Sequence, residues 1–358
     1  MPDGLLAARQ LAEEVRFAGD RLKPSGNGDT LQTRAIANTF YRNELEISAA
    51  VTPLLAANLE LVCKRLALPK DAIHAFVYAS AELQAECFAA SSTMCVIRFS
   101  SGLVDLLDAE EFAFVCGHEL GHFLLGHGVA CMEHANGSME YLMQKRAQEI
   151  SVDRVGLITC GSLDIAIRAL MKTASGLNSE HLRFDISAYI AQLRKSSHLT
   201  SSSDHASTHP SIIVRCRALL WFSLNDYFTG KSGKLSRAQL EKLDGRIEDD
   251  LSTYVDGPAR RRIVEAKDDL TLWLAVDEIV QNGRFDKSEQ AVIAKMFGAN
   301  TLERLISFLR DMPAADIRAT VSDRVKGARE ALEWIIPSGF DVELQEIERR
   351  VSSHLLAG

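Results

Sequence analysis

The chain has 358 residues, 47% of them hydrophobic, which is enough for two or three domains with well-filled cores. Its 48 acidic residues outnumber 40 basic ones, and the resulting net charge of -8 repels phosphate backbones and anionic lipid, so nucleic acid is excluded as a partner. With 8 prolines, 22 glycines, 25% charged and 7% aromatic residues, the collagen-like, mucin-like and wholly disordered classes are excluded too.

The N-terminal segment reads as a polar amphipathic helix ending near Arg21, followed by a linker carrying Pro24, Gly26 and Gly28. It lacks the basic and apolar regions of a signal peptide. Seven scattered cysteines suit reduced thiols rather than a disulfide framework, and the chain is expected in the cytoplasm. Residues 1–47 are therefore expected to form an N-terminal helical arm and linker. Val51, Leu54, Leu55, Leu59, Val62 and Leu66 recur at helical spacing over Ser48–Leu66, and Pro69 stops the pattern. Two β-like runs, Ile73–Tyr78 and Met94–Phe99, predict a small sheet.

Asp108 followed by Glu111 has the form of a capping box and opens a predicted helix running to about Gly126. Polar and glycine residues interrupt that apolar stretch, so no membrane span is expected. Further helices are predicted over Met139–Ile158, Leu163–Ala174, Phe184–Leu193 and Ser211–Leu224, with a Ser/Thr/His loop before the last. The stretch with Gly230 and Gly233 marks a domain boundary, with Ser236 as a candidate N-cap. The expected division is an enzyme domain over 48–225 and an all-helical domain over 236–358.

His118-Glu119-Leu120-Gly121-His122 is an HExxH motif. On a helix its two histidines share one face, where both imidazoles can bind one zinc ion with Glu119 beside it. Gly117 and Gly121 within the same helix each cost about 1 kcal/mol against alanine and imply an unusually close neighbour. A catalytic zinc takes a third protein ligand. His127 is turned too far around the helix, and Leu125 stands where a metzincin has glycine. Glu149 and Asp153 share one face of the next predicted helix. Two readings stay open for them: ion pairing with Arg146 or Arg154, or a zinc ligand plus an acceptor for a ligand histidine.

HELGHFLLGH, then ExxxD with RVGL beside it, then THPSIIVR together resemble the HtpX-like and CAAX-prenyl-protease-like zinc metallopeptidases over about residues 48–222. The resemblance implies a zincin-type core, hence an α+β, predominantly helical fold, and one zinc ion per chain. It implies His118, His122 and Glu149 as ligands, Asp153 as the residue orienting a ligand, Glu119 as general base, and His209 and Arg215 as groups steadying the oxyanion. Bound zinc would lower the pKa of its water toward about 7, so no covalent intermediate is needed. Gln84-Ala85 replaces the asparagine-alanine pair that family members often carry beside the substrate, and the membrane helices of HtpX and the CAAX proteases are absent.

The expected function is an intracellular zinc endopeptidase acting on polypeptide, with an extended substrate adding to the edge strand. The alternative is a zinc-stabilised binding or regulatory protein, or a latent peptidase, whose helical domain mediates protein contact. In a weaker variant, Cys116 or Cys131 occupies or oxidises near the zinc. In the C-terminal domain Asp277, Gly283, Asp286 and Glu289 miss EF-hand spacing. The segment shares with tellurite-resistance TerB-like helical domains an Asp, a turn and a Glu-led helix. That domain is expected to recruit substrate, bind a protein partner or cover the cleft. Arg260-Arg261-Arg262 reads as a solvated helix face, and His134, His198 and His205 as solvated loop residues.

Overall fold

The computed structural model describes residues 3–21, 30–127, 138–192, 207–228, 235–282, 286–310, 312–337 and 339–356. The linker residues Pro24, Gly26 and Gly28, together with Cys131, His134, His198, His205, Gly230, Gly233 and Gly283, lie outside them. The fold is α+β and predominantly helical, with a single four-stranded sheet among the described residues. The chain divides into two compact units, Met1–Met132 with Met143–Val255, and Glu133–Leu142 with Asp256–Gly358.

The first unit opens with α1 (Asp3–Val15), α2 (Thr30–Asn43), the short strand β1 (Leu45–Glu46) and α3 (Pro53–Arg65). The first helix stops six residues before the expected end near Arg21. Beyond Val15 the chain turns, Asp20 N–H donates to the Phe17 carbonyl, and both Phe17 and Asp20 are buried. The N-terminal segment is thus no separate arm: Leu5, Ala8, Ala12 and Val15 join the main core. The third helix begins at Pro53 rather than Ser48, because proline suits a first-turn position where no amide hydrogen is needed.

Strands β2 (Ile73–Tyr78), β3 (Ala85–Ala90) and β4 (Cys95–Ser100) complete a mixed sheet in the order β1-β2-β4-β3. Pairing is antiparallel for β1 with β2 and for β3 with β4, and parallel for β2 with β4. Alternation places Ile73, Ala75, Cys95, Ile97 and Phe99 in the main core, while Phe76 and Val96 pack with Ala37 and Phe40 of α2. The strand β3, a polar separator by composition that the family resemblance placed at the edge strand through Gln84-Ala85, forms one edge, with a bulge between Cys87 and Ala89.

After α4 (Ser101–Leu106) come α5 (Ala109–Leu125), α6 (Met139–Cys160), α7 (Leu163–Ser175), the short α8 (Ile186–Ile190), α9 (Ile212–Ser223) and α10 (Arg237–Leu251). Ser236 caps α10 by accepting from Gln239 N–H, as expected. Yet α10 belongs to the first unit rather than to the C-terminal one. Ile247 and Leu251 pack with Phe17, Ile150 and Val214, and Asp244 pairs with the buried Arg154 guanidinium. The division therefore falls after Val255, some 20 residues beyond the expected boundary.

The second unit carries α11 (Gly257–Asn282), α12 (Lys287–Phe297), α13 (Ala299–Arg310), α14 (Ala314–Ile335) and α15 (Phe340–Leu356). Leu270, Val276, Ile279, Ile293, Leu305, Val321, Leu332, Ile347 and Val351 form its core. Asp286 and Glu289 are engaged in a capping box at the start of α12. Among the described residues no helix is long and apolar enough to cross a membrane.

Candidate metal centre

The helix α5 is hydrophobic on all sides, and it is buried on all sides. The Asp108 carboxylate accepts from Glu110 and Glu111 N–H, and Glu111 Oε2 accepts from Asp108 N–H at 2.9 Å. Gly126 closes the helix with φ 72°, a left-handed turn that glycine adopts without strain. The Lys172 ammonium, 2.6 Å away, compensates the fully buried Glu111 carboxylate. These contacts fix the register of His118, Glu119 and His122.

The helix α6 crosses this one unusually close. An added Cβ on Gly117 would lie 2.3 Å from Thr159 Oγ1, on Gly121 3.1 Å from Val152 Cβ, and on Gly156 2.8 Å from the Phe114 carbonyl oxygen. Only the missing side chains permit this approach, which meets the expectation raised by Gly117 and Gly121. Glu149 thereby stands opposite both histidines.

His118, His122 and Glu149 place one potential ligand atom each within 4.8 Å of one another. His118 Nε2 lies 3.4 Å from Glu149 Oε2, and His122 Nε2 lies 3.5 Å from Glu149 Oε1. Both distances exceed a good N–H···O hydrogen bond. They agree instead with the separation of about 3.3 Å between donors held at about 2.0–2.1 Å around a tetrahedral zinc ion. Glu149 Oε2 is moreover buried with no hydrogen-bond partner, an orphan that a cation would satisfy. Two imidazole nitrogens and a carboxylate oxygen also form a donor set suited to zinc. The residues present fit the ion.

The surroundings of the three donors orient them. Asp153 Oδ1 is 2.9 Å from His118 Nδ1, so a proton on Nδ1 leaves the Nε2 lone pair facing Glu149. Arg215 clamps Asp153 with two bonds, Nε to Oδ2 at 2.8 Å and Nη2 to Oδ1 at 2.5 Å, and its Nη1 is 3.6 Å from Glu149 Oε2. The cation facing Asp153 is thus Arg215. Arg154 turns to Asp244, and Arg146 donates to the Ser207 carbonyl.

Charge is concentrated here. Burial opposes ionisation of Glu149, but His118 and His122 facing its two oxygens, with the Arg215 charge behind, hold the carboxyl well below the usual range. Asp153 is likewise held down against burial by Arg215 and His118. Burial alone would lower His118, yet Asp153 and Glu149 outweigh it and push the imidazole up to about 10. Two buried carboxylates here stabilise positive charge strongly, whether it is carried by a proton or by a metal ion.

Glu119 is buried beside this set. Its Oε2 accepts from the Cys87 N–H of edge strand β3 at 2.8 Å, and its Oε1 is 4.0 Å from His118 Nε2. His209 is exposed, its Nε2 3.4 Å from Glu149 Oε1 and its Nδ1 2.9 Å from Thr208 Oγ1. Ser211, not His209, caps the helix α9. Cys116 is fully buried, and burial pushes its thiol well above the usual range. No cysteine joins the donor set among the described residues.

One partner escaped sequence reasoning. His127 lies outside the His118, His122 and Glu149 group, and its Nδ1 is 3.0 Å from His122 Nδ1, while its Nε2 is 3.1 Å from Asp20 Oδ2. Burial, against the pull of Asp20, lowers His127 to about 4, so this imidazole is neutral. The spacing His122 to His127 was visible in the sequence, but Asp20 lies 107 residues away from His127 and no local pattern announces it.

Residues 51–144 match Peptidase family M48. The plastoglobule-localized metallopeptidase 48 of Arabidopsis thaliana, a chloroplastic protein, is 29% identical over 128 residues, a match covering 31% of this chain and 35% of the relative. No solved structure matches the chain significantly. The family match includes His118, Glu119 and His122 and ends before Glu149, Asp153, His209 and Arg215.

Proposed function

We propose that the chain is a zinc endopeptidase of the M48 kind, with Glu119 as its general base. The observation that carries this reading is the facing of His118 Nε2 and His122 Nε2 to the two oxygens of Glu149 at 3.4 and 3.5 Å, with one of those oxygens otherwise unsatisfied. When bound, one zinc ion per chain supplies Lewis acidity toward the scissile carbonyl and lowers the pKa of its water toward about 7. His118, His122 and Glu149 would hold it.

The rest is done by this chain's own side chains. Glu119, tethered through Oε2 to Cys87 N–H, keeps Oε1 beside the donor set to take a proton and return it to the leaving amine. Asp153 fixes the His118 ring, and Arg215 fixes Asp153. With its fork committed to Asp153, Arg215 acts chiefly by positioning. His209, exposed and close to Glu149, is the group free to donate toward an oxyanion, a bond typically worth about 3 kcal/mol. Substrate is an extended polypeptide that lies along β3, whose outer edge borders Glu119.

Cleavage of an unfolded casein-like substrate by wild type, with and without chelator, alongside Glu119→Gln, tests this reading. Chelator-sensitive cleavage that Glu119→Gln abolishes while retaining zinc is expected. Full activity in Glu119→Gln would overturn the base assignment, and zinc without cleavage would favour a binding or latent protein.

A further inference from the structure

Asp20 lies in the turn after α1, 31 residues before the family match begins, and its side chain is completely buried. It accepts at Oδ1 from Gln144 Nε2 at 2.6 Å, and at Oδ2 from Ser151 Oγ at 2.8 Å. His127 Nε2 also approaches Oδ2, at 3.1 Å. The turn itself is stitched to α6, since Arg21 N–H donates to Gln144 Oε1 at 3.3 Å and Phe17 N–H to Ser151 Oγ at 3.2 Å. A buried carboxylate held by three side-chain donors from two other segments is an unusual commitment for a residue with only a packing role.

The direction of every bond from Asp20 to His122 follows once His122 is read as binding metal through Nε2, the atom 3.5 Å from Glu149 Oε1. A carboxylate only accepts, so His127 Nε2 carries the proton. An imidazole that binds metal through Nε2 carries its one proton on Nδ1, so His122 Nδ1 donates across the 3.0 Å contact between the two Nδ1 atoms and His127 Nδ1 presents a lone pair. The reverse polarity would put the proton on His122 Nε2 and close that nitrogen to any metal.

We propose that Asp20 is a positioning residue of the metal site: through His127 it fixes His122 in the tautomer whose Nε2 lone pair faces Glu149, so that the N-terminal segment completes a donor set lying mostly within the matched region. The inference rests on the metal reading above. It makes the site depend on residues 16–21, because loss of that turn removes the acceptor that orders the relay. It also assigns the two ligand histidines separate anchors, Asp153 for His118 and Asp20 with His127 for His122.

Asp20→Asn tests the relay with the full chain. In one orientation the amide NH2 faces His127 Nε2 and Ser151 Oγ, reversing the relay. In the other it faces Gln144 Nε2, whose partner oxygen is already held by Arg21 N–H. Zinc affinity, measured by competition with a chromophoric chelator, is expected to fall 10–100-fold, the usual cost of losing an outer partner of a ligand histidine. Ser151→Ala removes another donor from the same carboxylate without touching the relay, and is expected to lose thermal stability while keeping wild-type zinc affinity.

Wild-type zinc affinity in Asp20→Asn would overturn the proposal, as would equal weakening by Asp20→Asn and Ser151→Ala in proportion to their lost stability. Long-range 1H–15N correlation on metal-free wild type gives a reading independent of whether Asp20→Asn folds: His127 protonated at Nε2 supports the relay, and His127 protonated at Nδ1 overturns it. Wild type that takes up no zinc would sink the metal reading and this inference with it. Wild type that binds zinc alongside an unaffected Asp20→Asn would sink the relay alone.

Discussion

Replacing Gly117 by alanine places a methyl group 2.3 Å from Thr159 Oγ1 and 2.6 Å from Thr159 Cβ, where ordinary contact begins at 3.4 Å. Rotating Thr159 about χ1 moves its hydroxyl but not its Cβ, and the hydroxyl is held by the Val155 carbonyl at 2.8 Å. The helices α5 and α6 must therefore part by about 0.8 Å at this level. Overpacking of this kind costs about 1–3 kcal/mol, and the gain of alanine over glycine within a helix returns about 1 kcal/mol. The net loss of stability is expected to be about 0–2 kcal/mol. The same parting widens the 3.4 and 3.5 Å separations that match a zinc sphere, so zinc binding weakens as well. Chelator competition and thermal unfolding of the metal-free protein measure the two effects. Thr159→Gly in the Gly117→Ala background removes the clash and restores zinc affinity by more than additivity allows. Gly117→Ala with wild-type stability and wild-type zinc affinity would refute the argument that glycine sets the distance between donor and donor.

Other expectations follow from the same geometry. Glu149→Ala lowers bound zinc far more than Asp153→Ala, because one removes a ligand and the other only its ring anchor; equal zinc contents in the two purified variants would contradict the assignment. Asp244→Ala strands the buried Arg154 guanidinium, pushed toward neutrality by burial and held charged by that partner, and costs about 3–5 kcal/mol in thermal or urea unfolding; a loss near zero would show that α10 is dispensable to the first unit. Lys172→Met leaves Glu111 without its ammonium and destabilises the start of α5 by a similar amount, with Glu111→Gln in the same chain recovering part of the loss. Prolonged dialysis against chelator abolishes cleavage, and zinc added back restores it.

What was legible in the sequence was local. The capping box of Asp108 and Glu111, the glycine after Leu125 and the β-branched and aromatic run Ile73–Tyr78 each carry their signal within a few residues, and the corresponding elements stand where those signals put them. The HExxH histidines share one helix face because helical geometry requires it. Spacing alone left Glu149 and Asp153 equivalent on one face of α6; the family resemblance separated them, and the crossing of α5 sets the Glu149 oxygens against both Nε2 atoms while Asp153 meets His118 Nδ1. Strand β3 was obscured to residue pattern, though not to the family resemblance, because a half-exposed edge with a bulge has no clean alternation. The boundary after Val255 was missed because the apolar face of α10 reads the same whichever unit receives it, and only Asp244 meeting Arg154 ties it to the first. The Asp20 relay was invisible for a related reason: a lone aspartate in a turn has no pattern until the fold brings His127 to it.

X-ray absorption at the zinc edge, on the purified wild type, tests most directly whether His118, His122 and Glu149 hold a catalytic metal. One zinc per chain with only nitrogen and oxygen neighbours at about 2.0–2.1 Å, and an altered shell in Glu149→Ala, is the expected result. A sulfur neighbour at about 2.3 Å would place the ion on cysteine instead, and absence of zinc from freshly purified protein that also fails to bind added zinc would contradict the account at its centre.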